Sequence, residues 1–310
     1  MRILVTGATG RVGRFVVADA VERGWDVRTL QRRCDQSAGV ESVAGSVTNA
    51  DLVRRAVDGV DVVCHLAALM PPNAHGDLFD CNVRGTFNVL EAIRAEERPP
   101  RLVHASTDAV YGTGFSQRAY DGPISEEMSR RPTNVYGVTK VMAEDLVQGY
   151  SDLFGIASTI LRYCWVFGPG EILGLFDPAS WDEFMSPSDR ERFRGSSVVP
   201  VLRGESGVPF TDHVVDARDA AAAAILAAQA DRTGCSVLNV CGPAAFRYDE
   251  IAPRVASMLG RETAEIDLPS FQPYSIDGGR AHEELRFRPH HDIESMIEEA
   301  LPAASRSGGA

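Results

Sequence analysis

The sequence predicts an α/β protein, a doubly wound parallel sheet with a smaller C-terminal cap. Two observations lead to this prediction. Short apolar segments alternate with longer amphipathic segments through residues 1–167, and the alternation lapses between Gly168 and Gly207 before it resumes. Short strands separated by long helices require crossover connections, which are right-handed and generate a parallel sheet. The irregular stretches are then left to form the cap.

The individual elements follow from apolar periodicity and from breaks at Gly and Pro. The first strand covers residues 2–6, and a helix runs from Arg11 to about Glu22, where Gly24 provides a stop signal. In chain order, the later segments are strand 26–31, helix 51–59, strand 61–68, helix 78–96, strand 101–106, helix 134–154, strand 158–167, helix 217–230, strand 236–242, helix 248–259 and helix 292–300.

Composition excludes several classes of function. The chain has 310 residues and a net charge of −12, which disfavours a nucleic-acid or anionic-membrane surface. It shows no signal peptide and no apolar run of the ~18 residues that a membrane span needs. Its six cysteines are scattered without a C-x-x-C pair, which predicts reduced thiols in a cytoplasmic protein. The seven histidines show no metal-binding spacing, so we expect no metal.

A glycine-rich turn directly follows the first strand. The stretch "TGATGRVG" places Gly7, Gly10 and Gly13 at the opening of the first helix, with Thr9, Arg11 and Val12 between them. Glycines in this order allow a tight turn, close approach of a pyrophosphate and close helix–strand packing. The helix N-terminus adds free N–H groups and partial positive charge. The turn therefore predicts a dinucleotide site in a Rossmann domain.

The end of the second strand indicates which dinucleotide binds. An acidic residue there accepts hydrogen bonds from the ribose of NAD, whereas this chain has Gln31, Arg32 and Arg33. Two guanidinium groups suit the 2′-phosphate of NADP. We therefore expect NADP to be preferred over NAD. The alternative is that Arg32 and Arg33 are a solvated surface pair.

The irregular stretches define the domain prediction. Residues 1–167 with 208–241 form the dinucleotide-binding domain, and residues 168–207 with 242–303 form a substrate-binding cap. The last residues, 304–310, are predicted to be a disordered tail. Segment 171–194 mixes aromatic residues with charges, which suits a lid over the substrate, local packing or a subunit contact.

The motif "YGVTK" places Tyr136 and Lys140 four residues apart on a predicted helix, so their side chains share one face. Y-x-x-x-K also arises by chance, and the pair alone leaves a catalytic and an ordinary helical role open. Together with other segments, however, it resembles the extended short-chain dehydrogenase/reductase family, which includes epimerases, dehydratases and ketone reductases. The matching segments are "VTGATGRVG" (5–13), "DVVCHLAA" (61–68), "NVRGTFNVLEA" (82–92), "HASTDAVYG" (104–112), "PTNVYGVTKVMAE" (132–144), "LRYCWVFGPG" (161–170) and "VVDARDAA" (214–221).

The resemblance implies roles for individual residues. Tyr136 would be the catalytic acid/base, and Lys140 would lower its pKa and hydrogen-bond the nicotinamide ribose. Thr107 would hold the reacting oxygen, whereas Ser106 would pack at the strand end and Asn82 would be structural. The residues implied at the cofactor are Gly7, Thr9, Gly10, Arg11, Val12, Gly13, Gln31, Arg32, Arg33, Ser46, Val47, Leu66, Ala67, Ala68, Tyr136, Lys140, Tyr163 and Val166. Those implied at the substrate are Met70, Asp108 and Trp165.

Three departures from the family pattern narrow the reaction. Asp108 is followed by Ala109 where dehydratases have a Glu, which makes elimination of water the weaker reading. Trp165 stands where nucleotide-sugar enzymes commonly have an Asn, and Asp212 falls near the position of an arginine that clamps the diphosphate. Arg194 or Arg203 would have to replace that arginine.

Together these features predict an NAD(P)-dependent oxidoreductase acting on a secondary alcohol or ketone of a polyhydroxylated, sugar-like small molecule. One alternative is a sugar or nucleotide-sugar epimerase, which would use the same residues. An alternative of another class is a catalytically silent NADP-binding protein. The resemblance also implies a homodimer formed by two helices of each subunit.

Overall fold

A computed structural model describes residues 1–32, 39–113, 120–204, 207–269 and 271–301. Arg33 and the tail 304–310 lie outside the described residues. The strands are β1 (Arg2–Thr6), β2 (Asp26–Gln31), β3 (Val40–Ala44), β4 (Val62–His65), β5 (Arg101–Thr107), β6 (Ser158–Tyr163), β7 (Trp165–Phe167), β8 (Val199–Arg203), β9 (Thr211–Asp212), β10 (Val214–Asp216), β11 (Cys235–Val240), β12 (Phe246–Arg247) and β13 (Thr263–Asp267).

The helices alternate with the strands through the first half of the chain. They are α1 (Gly13–Glu22), α2 (Ala50–Val57), α3 (His75–Phe79), α4 (Gly85–Ala95), α5 (Val135–Phe154), α6 (Pro187–Phe193), α7 (Ala217–Gln229), α8 (Tyr248–Leu259), α9 (Gly279–Leu285) and α10 (Ile293–Ala300). A π-helical turn, Asp80–Arg84, joins α3 to α4, and 3₁₀ turns cover Asp108–Tyr111, Ile172–Phe176 and Pro178–Phe184. No helix of the described residues is long and apolar enough to cross a membrane.

Seven parallel strands form the central sheet in the order β11-β6-β5-β4-β1-β2-β3, which confirms the predicted doubly wound fold. The strand order reverses between β1 and β4. Ligands of open α/β sheets bind at such a switch point, at the carboxyl ends of the strands. The glycine-rich turn after β1 therefore lies at the ligand-binding edge of this sheet.

Helices cover both faces of the sheet. Alternate residues of β1 point to opposite faces: Ile3 and Val5 join one buried apolar cluster, and Leu4 joins the other. Helices α1 and α7 pack against each other, as do α2 with α4 and α4 with α5. The contacts of α4 with α2 and with α5 place α5, which carries Tyr136 and Lys140, on the opposite face of the sheet from α1.

The shorter strands pair outside the central sheet, β7 with β10, β9 with β12 and β8 with β13. Aromatic rings pack among them: Trp181 lies 5.7 Å from Phe271 and 6.0 Å from Tyr248 between ring centroids, and it stacks on Trp165 at 5.9 Å. Trp181 is 1% exposed. Within segment 171–194 the buried aromatic residues thus serve local packing.

Some predicted boundaries were wrong. Helix 78–96 is divided by the π-helical turn, and strand 158–167 is interrupted at Cys164 between β6 and β7. β3 was not predicted, because an edge strand that pairs only with β2 lacks a strong apolar pattern. Helix α9 and the short strands β8–β10, β12 and β13 were also missed.

Candidate active site

In the glycine-rich turn after β1, the backbone lies very close to other backbone segments of the same chain. Gly7 has a φ of +69°, and a Cβ there would lie 2.8 Å from the backbone nitrogen of Ala67. A Cβ on Gly13 would collide with the Gly7 carbonyl oxygen. Helix α1 begins at Gly13, and the preceding Val12 makes no side-chain cap hydrogen bond. The positive end of the helix dipole therefore faces the turn. These features fit a dinucleotide pyrophosphate.

Arg11 links this turn to β7 instead of reaching into open solvent. Its guanidinium lies 2.5 Å from the carboxylate of Glu171 and donates to the Val166 carbonyl at 3.2 Å. Thr9 and Gly10 are exposed beside it. Four of the residues expected at the cofactor thus lie close together: Thr9, Gly10, Arg11 and Val166.

The residues expected at the adenosine lie at the ends of β2 and β3. Gln31 is buried and its side-chain amide lies 3.4 Å from the Ser42 hydroxyl, whereas Arg32 is exposed. Ser46 accepts a hydrogen bond from the Thr48 hydroxyl at 2.9 Å. Val47 is buried, and a Cβ on Gly85 would meet its side chain at 2.7 Å.

Asn82 holds the segment that follows β4. It accepts a hydrogen bond from the Leu69 nitrogen at 2.8 Å and donates to the Leu69 oxygen at 2.9 Å. Its amide also donates to the hydroxyl of Thr139 on α5 at 3.0 Å. The structural role expected of Asn82 is therefore what the contacts show. The segment itself contains Leu66, Ala67 and Ala68, which are half-buried, and Met70, which is exposed.

The amino end of α5 places Tyr136 beside Thr107. Asn134 caps the helix by accepting a hydrogen bond from the Gly137 nitrogen at 2.8 Å. A Cβ on Gly137 would lie 2.7 Å from the Ala109 oxygen, so the helix can approach the turn after β5 only with glycine at this position. The Thr107 hydroxyl is then close enough to the Tyr136 phenol to lower its pKa.

Burial raises the pKa of Tyr136 to about 12, and the Thr107 side chain opposes this shift. The ammonium of Lys140 donates to the Ala105 carbonyl of β5 at 2.5 Å. Burial lowers the pKa of Lys140 to about 8, against the opposing effect of Glu144. The effect of Lys140 on the Tyr136 phenol stays a prediction.

A buried ion pair between Glu144 and Arg162 lies beside the site, and it was not predicted from the sequence. Glu144, one turn beyond Lys140, accepts hydrogen bonds from Arg162 at 2.9 and 2.7 Å and from Ser106 at 2.5 Å. Both charged side chains are almost wholly buried. The available signal was Glu144 four residues after Lys140, on the same face of α5. Ser106 packs at the strand end, as expected.

Two buried carboxyl groups lie on the other side of Thr107. The Thr107 hydroxyl donates to Asp108 at 3.2 Å, and the Tyr274 hydroxyl donates to Asp212 at 2.7 Å and lies 3.4 Å from Asp108. Tyr274 and the position of Asp212 beside Asp108 could not be expected from the sequence. Trp165 is half-buried.

Tyr163, expected at the cofactor, is buried, and its hydroxyl donates to the Ala220 carbonyl of α7 at 3.2 Å. Its side chain is thus engaged within the protein core. Within the described ranges, no group of three or more His, Cys, Asp or Glu side chains is placed to hold a metal ion.

The chain is similar to several known proteins. The chain is 34% identical over 209 residues to L-arabinose 1-dehydrogenase (NAD(P)(+)) of Haloferax volcanii, covering 62% of this chain and 80% of that protein. It is 26% identical to the dTDP-glucose 4,6-dehydratase of Mycobacterium tuberculosis over 96% of this chain and 91% of that protein. The crystal structure of a short-chain dehydrogenase/reductase superfamily protein from Agrobacterium tumefaciens with bound NAD has a TM-score of 0.84 and 28% identity, covering 99% of this chain and 97% of that chain.

The model of one family covers most of the chain. Residues 3–241 match the NAD dependent epimerase/dehydratase family, a span that runs from β1 through the end of β11. The match includes the glycine turn, Thr107, Tyr136 and Lys140. The chain therefore belongs to the NAD dependent epimerase/dehydratase family and is a nicotinamide-dependent enzyme of the extended short-chain dehydrogenase type.

Proposed function

We propose that the protein oxidises a secondary alcohol of a free sugar, or reduces the corresponding carbonyl, with NADP as the preferred cofactor. The observation on which this depends is the position of Tyr136 and Thr107 at the carboxyl edge of the sheet, next to the glycine turn after β1. A nicotinamide cofactor supplies the hydride acceptor or donor at this edge.

The side chains perform the proton chemistry. In the oxidative direction Tyr136 accepts the hydroxyl proton of the substrate, and in the reductive direction it returns that proton to the carbonyl oxygen. The Thr107 hydroxyl donates a hydrogen bond to the same oxygen and stabilises its developing negative charge. Lys140 hydrogen-bonds the Ala105 carbonyl in this structure, and its remaining N–H groups suit the ribose of the cofactor.

The charges around the site favour a free sugar over a nucleotide sugar. Asp212, near the position of the expected diphosphate clamp, is a buried acid and cannot supply the positive charge that a diphosphate needs. Arg203 pairs with Glu265 at 2.5 Å, and the exposed Arg194 pairs with Glu191 at 2.9 Å. Both arginines considered as replacements are thus engaged with carboxylates. The similarity to an L-arabinose dehydrogenase supports the same substrate class.

The test is a substrate panel. The protein is incubated with NADP or NAD and with free aldoses, the matching UDP- and dTDP-sugars and simple ketones, while absorbance of the reduced cofactor is followed. We expect a signal with a free sugar that the Tyr136→Phe variant lacks. Turnover of the nucleotide sugar alone would refute the proposed substrate. An isomerised sugar without net absorbance change would show the epimerase alternative to be correct, and no turnover with tight NADP binding would favour the silent binding protein.

The preference for NADP is supported by the end of β2. It terminates in Gln31, without a carboxylate, and the exposed Arg32 follows. Arg32→Ala is expected to weaken NADP binding roughly tenfold, the loss of one charge-assisted contact, and to leave NAD binding unchanged. Fluorescence titration measures both, with Arg54→Ala on α2 as the control. Equal loss for both cofactors would contradict the preference.

We also propose a homodimer through α4 and α5. Phe87 on α4 and Val138 and Met142 on α5 are each about two-fifths exposed, as is Phe79 beside them. Two adjacent helices with apolar exposed side chains suit a four-helix contact between copies. Phe87→Glu with Met142→Glu is expected to convert a dimer to a monomer in sedimentation-velocity experiments. An unchanged sedimentation coefficient would contradict this contact.

A further inference from the structure

We propose that Asp108, Tyr274 and Asp212 share a proton and thereby control the hydrogen bond that Thr107 offers to the reacting oxygen. In this view Asp108 is a positioning residue, which acts through Thr107 and not on the substrate. The inference rests on the proposed function, because it assigns a role to groups behind the proposed acid/base. None of the family comparisons assigns such a role.

If Asp108 and Asp212 were both ionised, the Tyr274 hydroxyl would have only one hydrogen for its contacts with the two carboxylates. The Tyr274 hydroxyl has one hydrogen, and its shorter contact, 2.7 Å, is to Asp212 Oδ1, which also accepts from the His213 nitrogen at 2.7 Å. The longer contact, 3.4 Å, is to Asp108 Oδ2. Two oxygens facing each other without a hydrogen repel, so the contact to Asp108 is favourable when Asp108 carries a proton and donates it to Tyr274.

Burial makes such a proton stable. Asp108 is 2% exposed and Asp212 1%, and Asp212 Oδ2 has no hydrogen-bond partner among the described residues. An ionised carboxylate without a partner is costly inside a protein. Burial accordingly raises the pKa of Asp108 to about 6 and that of Asp212 to about 7. Because the two groups interact, these values belong to the pair, which exchanges its proton with solvent near neutral pH.

Among the residues that the structure describes, no cation faces Asp108 or Asp212 to reverse this effect. The described groups that face them are hydroxyls, a thiol, backbone N–H groups and each other. They come from β5, α5, α8, the segments after β5, β6 and β13 and the link between β9 and β10, and they are Thr107, Thr113, Tyr136, Cys164, Tyr248 and Tyr274, with the nitrogens of Ala109 and His213. Burial raises the pKa of Cys164, Tyr248 and Tyr274 well above the ordinary range, so these three stay neutral.

The proton state of Asp108 decides what Thr107 does. Thr107 accepts from the Ala109 nitrogen at 3.2 Å, and its single hydroxyl hydrogen points to Asp108 Oδ1 at 3.2 Å. An ionised Asp108 holds that hydrogen strongly, and its charge also raises the pKa of Tyr136. A protonated Asp108 competes weakly, and Thr107 can then donate to the phenolate of Tyr136 or to the reacting oxygen. The proton on the pair therefore favours the active arrangement.

The test is the pH dependence of alcohol oxidation. Asp108→Asn keeps the shape and removes the charge, and we expect the midpoint of the acidic limb of kcat/KM to fall by roughly one pH unit. Tyr274→Phe is expected to raise the midpoint, because protonated Asp108 loses the oxygen that accepts its hydrogen bond and therefore stays ionised to lower pH. Tyr150→Phe on α5 is the control, because its hydroxyl donates to Glu91 and not to the carboxyl pair, and it should leave the midpoint unchanged.

A uniform loss of kcat/KM in Asp108→Asn, with the midpoint unmoved or raised, would overturn the inference and assign Asp108 a packing role. A second measurement needs no substrate. The infrared difference spectrum between the natural protein and Asp108→Asn should contain a protonated-carboxyl band at about pH 6 that is lost by about pH 8. If that band titrates but no sugar is turned over, the proposed function fails while the shared proton stands. Turnover without the band refutes the shared proton.

Discussion

Replacement of Glu144 by Gln removes its charge and tests how much the buried ion pair with Arg162 contributes to the stability of the protein. Glu144 accepts three hydrogen bonds shorter than 3 Å from Arg162 and Ser106, and a fourth from Arg130 at 3.3 Å. Glu144→Gln leaves the guanidinium of Arg162 buried without its counter-charge. Breaking one partner of a buried ion pair costs about 3–5 kcal/mol, a large part of a total stability of roughly 5–15 kcal/mol.

The measurement is thermal unfolding of the natural protein and the variant at one pH. At roughly 2–4 °C per kcal/mol for a domain of this size class, we expect Tm to fall by about 6–20 °C. Arg130→Gln is the control, because its side chain is about one-third exposed and exposed ion pairs contribute about 0–1 kcal/mol. The double variant Glu144→Gln with Arg162→Gln should lose less than the sum of the single losses. Equal Tm shifts for Glu144→Gln and Arg130→Gln would refute the reasoning.

Three further perturbations follow from the same structure. Gly13→Ala places a Cβ against the Gly7 carbonyl, so cofactor Kd in fluorescence titration should rise roughly tenfold or more; an unchanged Kd contradicts the close approach. Thr107→Ala removes the donor to the reacting oxygen, and kcat should fall about 10²- to 10³-fold with cofactor Kd unchanged. A fall in kcat of less than about threefold would indicate that another group donates to this oxygen. His104→Leu removes an imidazole whose ring nitrogens are buried without a described partner, and urea unfolding at pH 7 should show a gain of roughly 1–2 kcal/mol. Burial keeps the pKa of His104 well below its ordinary value. The natural protein therefore loses stability as pH falls below about 6.5, and the variant should lose less.

Much of the central sheet could be predicted from periodicity. Every strand of it except β3 was expected, because buried parallel strands are continuous apolar runs bounded by turn residues. Strand β3, Val40–Ala44, contains Glu and Ser and pairs on one side only, so its pairing with β2 and not its composition makes it a strand. The short strands outside the sheet depend likewise on distant partners, such as β8 with β13.

The candidate site, like the sheet, could be predicted from the sequence only in part. The spacing of Tyr136 and Lys140 predicted a shared helix face, and α5 confirms the helix. The expected effect of Lys140 on the pKa of Tyr136 stays a prediction, and the structure adds that the Lys140 ammonium lies at the Ala105 carbonyl while burial raises the pKa of Tyr136 to about 12. Spacing along a helix specifies a face, whereas a pKa depends on which groups from other elements enclose the side chain.

The amino-acid sequence by itself determined the glycine turn, the alternation of strands and helices and the residue types available for proton transfer, because these depend on local conformation and on neighbours close in the chain. Only the tertiary structure decided which acids lie behind Thr107. Asp108 and Tyr274 are 166 positions apart, and Asp212 reaches Tyr274 across 62. Their protonation depends on joint burial, which exists only once the segments that carry Asp212 and Tyr274 pack against the end of β5.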